Sequence, residues 1–119
     1  MIEKLDGCLK QRDSETTPVE AMHDGVGKAH SCALFHGHMK LPVFIHNTIL
    51  DPGATIGDHE HSTSEEIYWF IEGEGVMSVN GREFPASKGD VILTQRGSRH
   101  ALRNTGAVPL RIIVIGGEV

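Results

Sequence analysis

The chain has 119 residues, which is enough for one domain but too few for two domains with separate cores. Its formal net charge of −5 at pH 7 would repel nucleic acid and anionic membrane surfaces, so we expect a small-molecule partner and neither nucleic acid nor membrane. No segment has membrane-spanning length, and the N-terminus lacks the basic start and apolar run of a secretion signal, which favours a cytoplasmic location.

The first 24 residues differ from the rest of the chain. They are polar, contain Thr17-Pro18 and show no sustained apolar period, so we interpret residues 1–24 as an N-terminal arm and residues 25–119 as the folded domain. From Gly25 onward, short apolar runs alternate with turn-forming residues. The predicted strands are 29–35, 41–50, 66–71, 75–79, 91–94 and 110–115. Short strands separated by turns predict an all-β sandwich or barrel with little helix.

The clearest local signal is a hairpin. Asn80-Gly81 separates two short runs that can pair, and a two-residue type I′ turn requires positive φ at both of its central positions. Asparagine and glycine accept that backbone conformation, so an antiparallel hairpin is predicted here. The two cysteines, Cys8 and Cys32, lie in no CxxC pair, and we interpret both as free thiols.

Histidine and glutamate form the candidate metal-ligating group. His59 and His61 are two residues apart, so in an extended segment their side chains leave the same face roughly 7 Å apart at the backbone. Glu66 begins the next predicted strand, where alternation places Tyr68 on the same face. His100 joins them if the chain returns antiparallel beside the first pair. Three imidazoles and one carboxylate suit one divalent ion of iron, manganese, nickel, cobalt, copper or zinc.

The same residues lie in two longer motifs. Residues 53–73 read G-x5-H-x-H-x4-E-x6-G, and residues 89–104 read G-x5-Q-x-G-x2-H-x3-N. These segments resemble the two signature motifs of the cupin superfamily, and the chain is similar to the small stand-alone bacterial cupins of the cupin-2 type. The resemblance implies a single-domain cupin barrel, that is, a double-stranded β-helix or jelly roll. The metal ligands that it implies are His59, His61, Glu66 and His100.

The sequence departs from the family motifs at one position, and it also lacks a residue found in one group of cupins. Gln95 stands where the family usually has proline, a residue that shapes a turn and ligates no metal. In oxalate-decarboxylating cupins, an arginine on the strand entering the first motif holds the substrate carboxylate, but residues 43–50 contain none. Oxalate chemistry is therefore not expected from the sequence.

Several residues beside the motifs have alternative roles. Tyr68 is a candidate catalytic proton donor, and a packed ring with a satisfied hydroxyl is the alternative. His36 is a candidate catalytic acid or base in the pocket, and a solvated loop residue is the alternative. One of His46 and Asn47 faces the cavity, and strand parity alone does not decide which.

Two functions are compatible with the sequence. In the first, the chain is a metalloenzyme acting on a small metabolite that chelates the ion through a carboxylate, hydroxyl or enolate, and dioxygenase, decarboxylase, lyase and isomerase chemistries all fit. In the second, the same pocket binds or senses a small molecule without turning it over. We also expect a homodimer, by resemblance to other small cupins and because the apolar, outward-facing Trp69 needs cover.

Overall fold

The computed structural model describes all 119 residues of the chain, Met1–Val119. The residues form twelve β-strands and one three-residue 3-10 turn, Met22–Asp24. The strands are β1 Ile2–Leu5, β2 Cys8–Gln11, β3 Thr17–Glu20, β4 Lys28–Ala33, β5 Val43–Leu50, β6 Thr55–Glu60, β7 Ser64–Glu72, β8 Glu74–Val79, β9 Arg82–Ser87, β10 Val91–Thr94, β11 Arg99–Asn104 and β12 Leu110–Glu118. The 3-10 turn is the only helical element, so no helix is long and apolar enough to cross a membrane.

Two antiparallel sheets make up the barrel. The larger sheet has six strands in the order β10-β7-β12-β5-β4-β3, and the smaller has four in the order β6-β11-β8-β9. Consecutive strands of the chain repeatedly fall in different sheets, as when β5 is followed by β6 and β6 by β7. This arrangement confirms the predicted all-β jelly roll.

The core lies between the inner faces of the two sheets. Alternation along each strand turns every second side chain inward, so the buried apolar residues come from both sheets. The larger sheet contributes Leu50, Phe70 and Ile112, and the smaller sheet contributes Met77 and Leu102, each no more than 1% exposed. Burying a side chain of this size stabilises the fold by about 1.5–3 kcal/mol, which makes these contacts the main link between the sheets.

The predicted hairpin at Asn80-Gly81 is confirmed. β8 and β9 pair in register around this turn, with φ of 51° at Asn80 and 82° at Gly81. The Asn80 carboxamide also contacts the neighbouring strand, because its Oδ1 accepts a hydrogen bond from the Arg99 amide at 2.9 Å and its Nδ2 donates to the Ser98 hydroxyl at 3.2 Å. The turn therefore anchors the beginning of β11, one residue before His100.

Residues 1–24 contain two kinds of structure. β1 and β2 pair only with each other, whereas β3 is an edge strand of the larger sheet and pairs with β4. Hydrogen bonds hold the end of β2 and the segment after it to the barrel, since Gln11 Oε1 accepts from the Phe35 amide at 2.7 Å and Asn47 Nδ2 donates to the Asp13 carbonyl at 2.8 Å. The chain thus enters the barrel sheet at Thr17, and the division into an arm and a domain at residue 25 stays a prediction.

Candidate metal centre

The four predicted ligands lie on or next to three strands of the two sheets. His59 lies on β6 and His61 just beyond it, His100 lies on β11, and Glu66 lies on β7 of the other sheet. Because β6 and β11 are antiparallel neighbours, His100 stands directly opposite His59. His61 is fixed by its own backbone, which accepts from the Gly97 amide at 2.7 Å and donates to the Ser98 carbonyl at 2.9 Å.

The side chains converge through one nitrogen of each imidazole. His100 Nε2 lies 3.0 Å from His61 Nε2 and 3.1 Å from His59 Nε2. Glu66 Oε1 lies 3.1 Å from His100 Nε2 and 3.3 Å from His61 Nε2. The donor atoms of all four residues lie within 4.8 Å of one another.

The other nitrogen of each imidazole has its own partner. His59 Nδ1 lies 2.7 Å from the Gly57 carbonyl oxygen, His61 Nδ1 lies 3.0 Å from the hydroxyl of Ser64, and His100 Nδ1 lies 2.8 Å from the hydroxyl of Thr94. A carbonyl can only accept, so His59 Nδ1 carries the proton and its neutral ring presents a lone pair at Nε2. Contacts of this kind orient metal-binding imidazoles in proteins.

The electrostatics of the cluster favour neutral imidazoles beside a charged carboxylate. Burial lowers the pKa of His59 to about 4, and burial also lowers the pKa of His61. For Glu66, burial alone would raise the pKa, but its hydrogen bond with His100 and the neighbouring imidazoles outweigh that effect and lower the pKa below its usual value. Metal ions bind deprotonated imidazole and carboxylate, so His59, His61 and Glu66 are in the required state near neutral pH.

The spacing of the donors fits a single ion. Metal–nitrogen bonds of about 2.1 Å that meet at right angles place their donor atoms about 3.0 Å apart. The separations that involve His100 are 3.0 and 3.1 Å, close to that value. A set of three imidazoles and one carboxylate also leaves coordination positions open on a six-coordinate ion.

A cavity of about 380 Å³ opens beside the cluster, and His61 and Glu66 form part of its wall. The larger sheet lines the cavity with the polar residues Ser31, His46, Thr48 and Tyr68. It also contributes apolar side chains that include Phe44 and Val114. Burial and the nearby Glu66 carboxylate raise the pKa of Tyr68 well above its usual value, so this phenol stays protonated. Tyr68 therefore lines the same cavity as Glu66, as strand alternation predicted.

The structure decides between the neighbours on β5. His46 faces the cavity, and burial lowers its pKa. Asn47 faces the outside of the sheet, where its Oδ1 accepts from Arg111 Nε at 2.8 Å. His36 is exposed and lies outside the cavity beside Tyr68, on a separate cleft that also includes His61.

His23 is a residue of the site that the sequence did not reveal. Its ring stacks on the ring of His59, with centroids 3.7 Å apart and planes 8° from parallel. The backbone of the turn that carries this ring has left-handed conformation at Ala21, His23 and Asp24. Gly57 leaves room for the turn, since a Cβ at Gly57 would lie 2.0 Å from the His23 carbonyl oxygen. No periodicity in residues 1–24 indicates this contact.

Comparison with known proteins points to one family. Residues 47–116 match the sequence profile described as Cupin domain. A protein of Thermotoga maritima named Oxalate-binding protein is 36% identical over 109 residues, which cover 87% of this chain and 89% of that protein. A crystal structure described as a predicted oxalate decarboxylase from Thermotoga maritima superposes with a TM-score of 0.85 at 32% identity, over 91% of this chain and 97% of the other.

A more distant relative is larger. The tetracenomycin polyketide synthase protein TcmJ of Streptomyces glaucescens is 34% identical over 70 residues, which cover 59% of this chain and 47% of that protein. The similarity is therefore confined to about half of the Streptomyces protein, whereas it extends over most of the Thermotoga protein.

Proposed function

This chain belongs to the cupin domain family, and on that premise we propose that it binds one divalent metal ion at His59, His61, Glu66 and His100 and uses the ion to hold a small chelating metabolite. The observation that carries the proposal is the convergence of three Nε2 atoms and one carboxylate oxygen within 4.8 Å at the wall of a cavity. The bound ion would supply Lewis-acid chemistry, and iron, manganese, nickel, cobalt, copper and zinc all suit these donors.

The charge of the site supports an anionic ligand only when the ion is present. The pKa values of His59 and His61 are lowered, so both rings are neutral near pH 7 while Glu66 is charged. No lysine or arginine lines the cavity, so a carboxylate entering without metal would meet the Glu66 carboxylate and no cation from these side chains. Binding of an acidic metabolite is therefore expected to depend strictly on the metal.

Oxalate is the first ligand to test. A relative that matches most of the chain is named Oxalate-binding protein, and oxalate presents two carboxylate oxygens that can chelate one ion. The sequence lacks the arginine expected for oxalate decarboxylation, and the cavity lining also lacks arginine. We therefore separate binding of oxalate, which we propose, from its decarboxylation, which we do not.

Tyr68 is the residue that we propose as catalytic if the ligand is turned over. Its phenol is 2% exposed, lines the cavity and stays protonated, so it can donate a hydrogen bond or a proton to a ligand beside Glu66. His36 remains a second proposed acid or base, acting from the cleft that includes His61. The alternative function is a binding module with the same site, which the name of the Thermotoga relative favours.

The experiment combines metal analysis with calorimetry. We expect the purified protein to contain one divalent ion per chain and the His100→Ala variant to contain none, with folding checked by circular dichroism. Oxalate should bind the metal-loaded protein in titration calorimetry and fail to bind the same protein after chelator treatment. Absence of stoichiometric metal in the folded wild type would overturn the proposal.

A turnover screen separates the two functions. The metal-loaded protein is incubated with oxalate and with small 2-oxo and 2-hydroxy acids while oxygen uptake and product formation are followed. Turnover that the Tyr68→Phe variant loses, with ligand affinity retained, supports the metalloenzyme. Saturable binding with no turnover of any of these acids supports the binding module.

We also propose that the chain forms a homodimer through the outer face of the larger sheet. Trp69 and Val91 are cross-strand neighbours, and both are exposed together with Leu93, by 46%, 57% and 49%. An apolar surface of this kind on a small protein favours contact with a second copy. The β1–β2 hairpin pairs with no other strand, and a two-stranded hairpin is only marginally stable by itself, so a partner would stabilise it as well.

Sedimentation analysis tests the dimer. The wild type should sediment as a dimer at micromolar concentration, and Trp69→Lys should shift it to a monomer. Val108→Lys, at a residue that is also 57% exposed but lies outside this face, should leave the dimer intact. A monomeric wild type would contradict the proposed interface.

The cytoplasmic location stays part of the proposal, and the two free cysteines agree with a reducing compartment.

A further inference from the structure

The cavity is much larger than the part of a ligand that a metal ion can hold. Its volume of about 380 Å³ falls in the range of about 300–1,000 Å³ that is usual for sites of drug-sized ligands. Oxalate has six non-hydrogen atoms and would fill only a fraction of that space. The chain therefore has room for a ligand with a body beyond its chelating head.

Strand order gives the direction in which the body extends. Glu66 lies on β7, and the inner face of the sheet continues across β12 and β5 to Ser31 on β4. Thr48 lies two strands from β7 and, through Ile112 and Phe70, four residues further along the sheet than Glu66, so the backbones of Thr48 and Glu66 are roughly 16 Å apart. Val114 and Phe44 supply apolar surface along this path.

The end of the path at β4 is polar but carries no charge. Ser31 and Thr48 are cross-strand neighbours, and their hydroxyl oxygens lie 3.4 Å apart. Both residues line the cavity, and Thr48 is 3% exposed. Since no lysine or arginine lines the cavity, a second carboxylate at this end would be buried without a cation, whereas a hydroxyl or carbonyl could hydrogen-bond to the pair.

From this geometry, and resting on the proposed metal function, we infer that the ligand is a monoanionic chelator with a longer uncharged body. Its head is a 2-oxo or 2-hydroxy acid at the ion, its carbon chain lies on the apolar wall, and its tail is a hydroxyl or carbonyl at Ser31 and Thr48. A dicarboxylate of the same length is disfavoured, because no lysine or arginine lines the cavity to pair with its second carboxylate.

Matched acids test the inference on the Co²⁺-loaded protein by titration calorimetry. We expect 2-oxohexanoate to bind roughly tenfold more tightly than 2-oxobutanoate, because two added methylene groups are buried. The compound 8-hydroxy-2-oxooctanoate, which is long enough for its hydroxyl to approach Thr48, should bind at least as tightly as 2-oxooctanoate. The dicarboxylate 2-oxooctanedioate, which has the same eight carbons, should bind at least tenfold more weakly than 2-oxooctanoate.

Variants locate the tail. Thr48→Val keeps the side-chain shape and should reduce the affinity for 8-hydroxy-2-oxooctanoate by about fivefold, with the affinity for 2-oxobutanoate unchanged. Ser31→Ala provides the same test if Thr48→Val does not fold. Thr105→Val, at an exposed residue outside the cavity, is the matched control and should change neither affinity.

The outcomes distinguish this inference from the proposed function. Metal-dependent binding of oxalate and 2-oxobutanoate with no gain from the longer chain, or with 2-oxooctanedioate favoured, would overturn the inference and leave the proposed function standing. A folded protein that retains no Co²⁺, or that retains Co²⁺ and binds none of the acids, would overturn both.

Discussion

At the residue scale, the candidate site depends on how each imidazole is held at Nδ1. The three partners differ in exposure, because the contact between His100 and Thr94 is completely buried whereas His61 and Ser64 are partly exposed. Water can replace a lost partner only where it has access. Loss of the contact at Nδ1 is therefore expected to lower metal affinity more at His100 than at His61.

Thr94→Val tests this difference. The substitution keeps the shape of the side chain but leaves His100 Nδ1 without a partner at a residue that is 0% exposed, so we expect metal affinity to fall by about 10–100-fold. Ser64→Ala, the matched control at His61, should reduce affinity by less because water can take the place of the hydroxyl. Metal competition titrations measure both, and equal losses would contradict the argument.

The lowered pKa of His59 has a consequence for stability. The ring has a pKa of about 4 in the folded protein against an ordinary value of 6.5, so between these values the unfolded chain binds a proton that the folded chain does not. Stability from this group is therefore fully present above pH 6.5 and is lost as the pH falls toward 4. Urea unfolding of the metal-free protein should show a falling midpoint from pH 7 to pH 4.5.

His59→Gln separates this contribution from those of the other histidines. The variant has no titrating ring at residue 59, so its unfolding midpoint should fall less over the same pH range. His61 and His46, whose pKa values burial also lowers, keep part of the pH dependence in both proteins. An equally steep fall in the variant would show that His59 does not contribute.

At the scale of elements, the sequence predicted the strands that carry apolar runs. The predicted strand 91–94 coincides with β10, and 110–115 lies within β12. β6 and β11 were not predicted as strands, because their polar and charged residues, such as Asp58 and Arg103, hide the alternation that marks a strand. The ligand set was accessible only because its spacing resembles a family motif.

The wall of the cavity next to His59 could not be predicted from the sequence. The turn Met22–Asp24 packs against β6, and its position depends on left-handed backbone at non-glycine residues, which no local pattern announces. Strand parity left His46 and Asn47 equivalent, and only the pairing of β5 between β12 and β4 decides which one faces inward.

Gly57→Ala tests the contact between this turn and β6. A Cβ at residue 57 would lie 2.0 Å from the His23 carbonyl oxygen, so the turn must move and the stacking of His23 on His59 must be lost. We expect a loss of more than 2 kcal/mol in stability, in the range of severe steric substitutions, and weaker metal binding. Unfolding titrations and metal titrations measure the two effects.

Gly81→Ala is the control for backbone strain. Gly81 has a positive φ of 82° but no neighbouring atom within 4 Å of an added Cβ. Its substitution should cost about 1 kcal/mol through backbone strain alone and should leave metal affinity unchanged. A Gly57→Ala variant no worse than Gly81→Ala would show that the turn is not packed against β6 as described.

At the scale of the whole molecule, the ligand set joins the two sheets. His59 and His100 belong to the four-stranded sheet, whereas Glu66 belongs to the six-stranded sheet. A bound ion would therefore link the same two layers that the apolar core holds together, and it would bind the folded chain far better than the unfolded one. Metal removal is then expected to lower the stability of the entire domain.

Thermal unfolding measures this coupling. With free metal at 100 times its dissociation constant, the folded state gains about 2.7 kcal/mol, which corresponds to roughly 10 °C in Tm for a domain of this size. The Glu66→Gln variant keeps the volume of the side chain but loses the charged ligand from the six-stranded sheet, so its Tm should respond much less to metal. An equal response in both proteins would mean that Glu66 adds nothing to metal affinity and does not link the ion to the six-stranded sheet, since the gain in stability depends only on the free metal concentration and its dissociation constant from the folded chain.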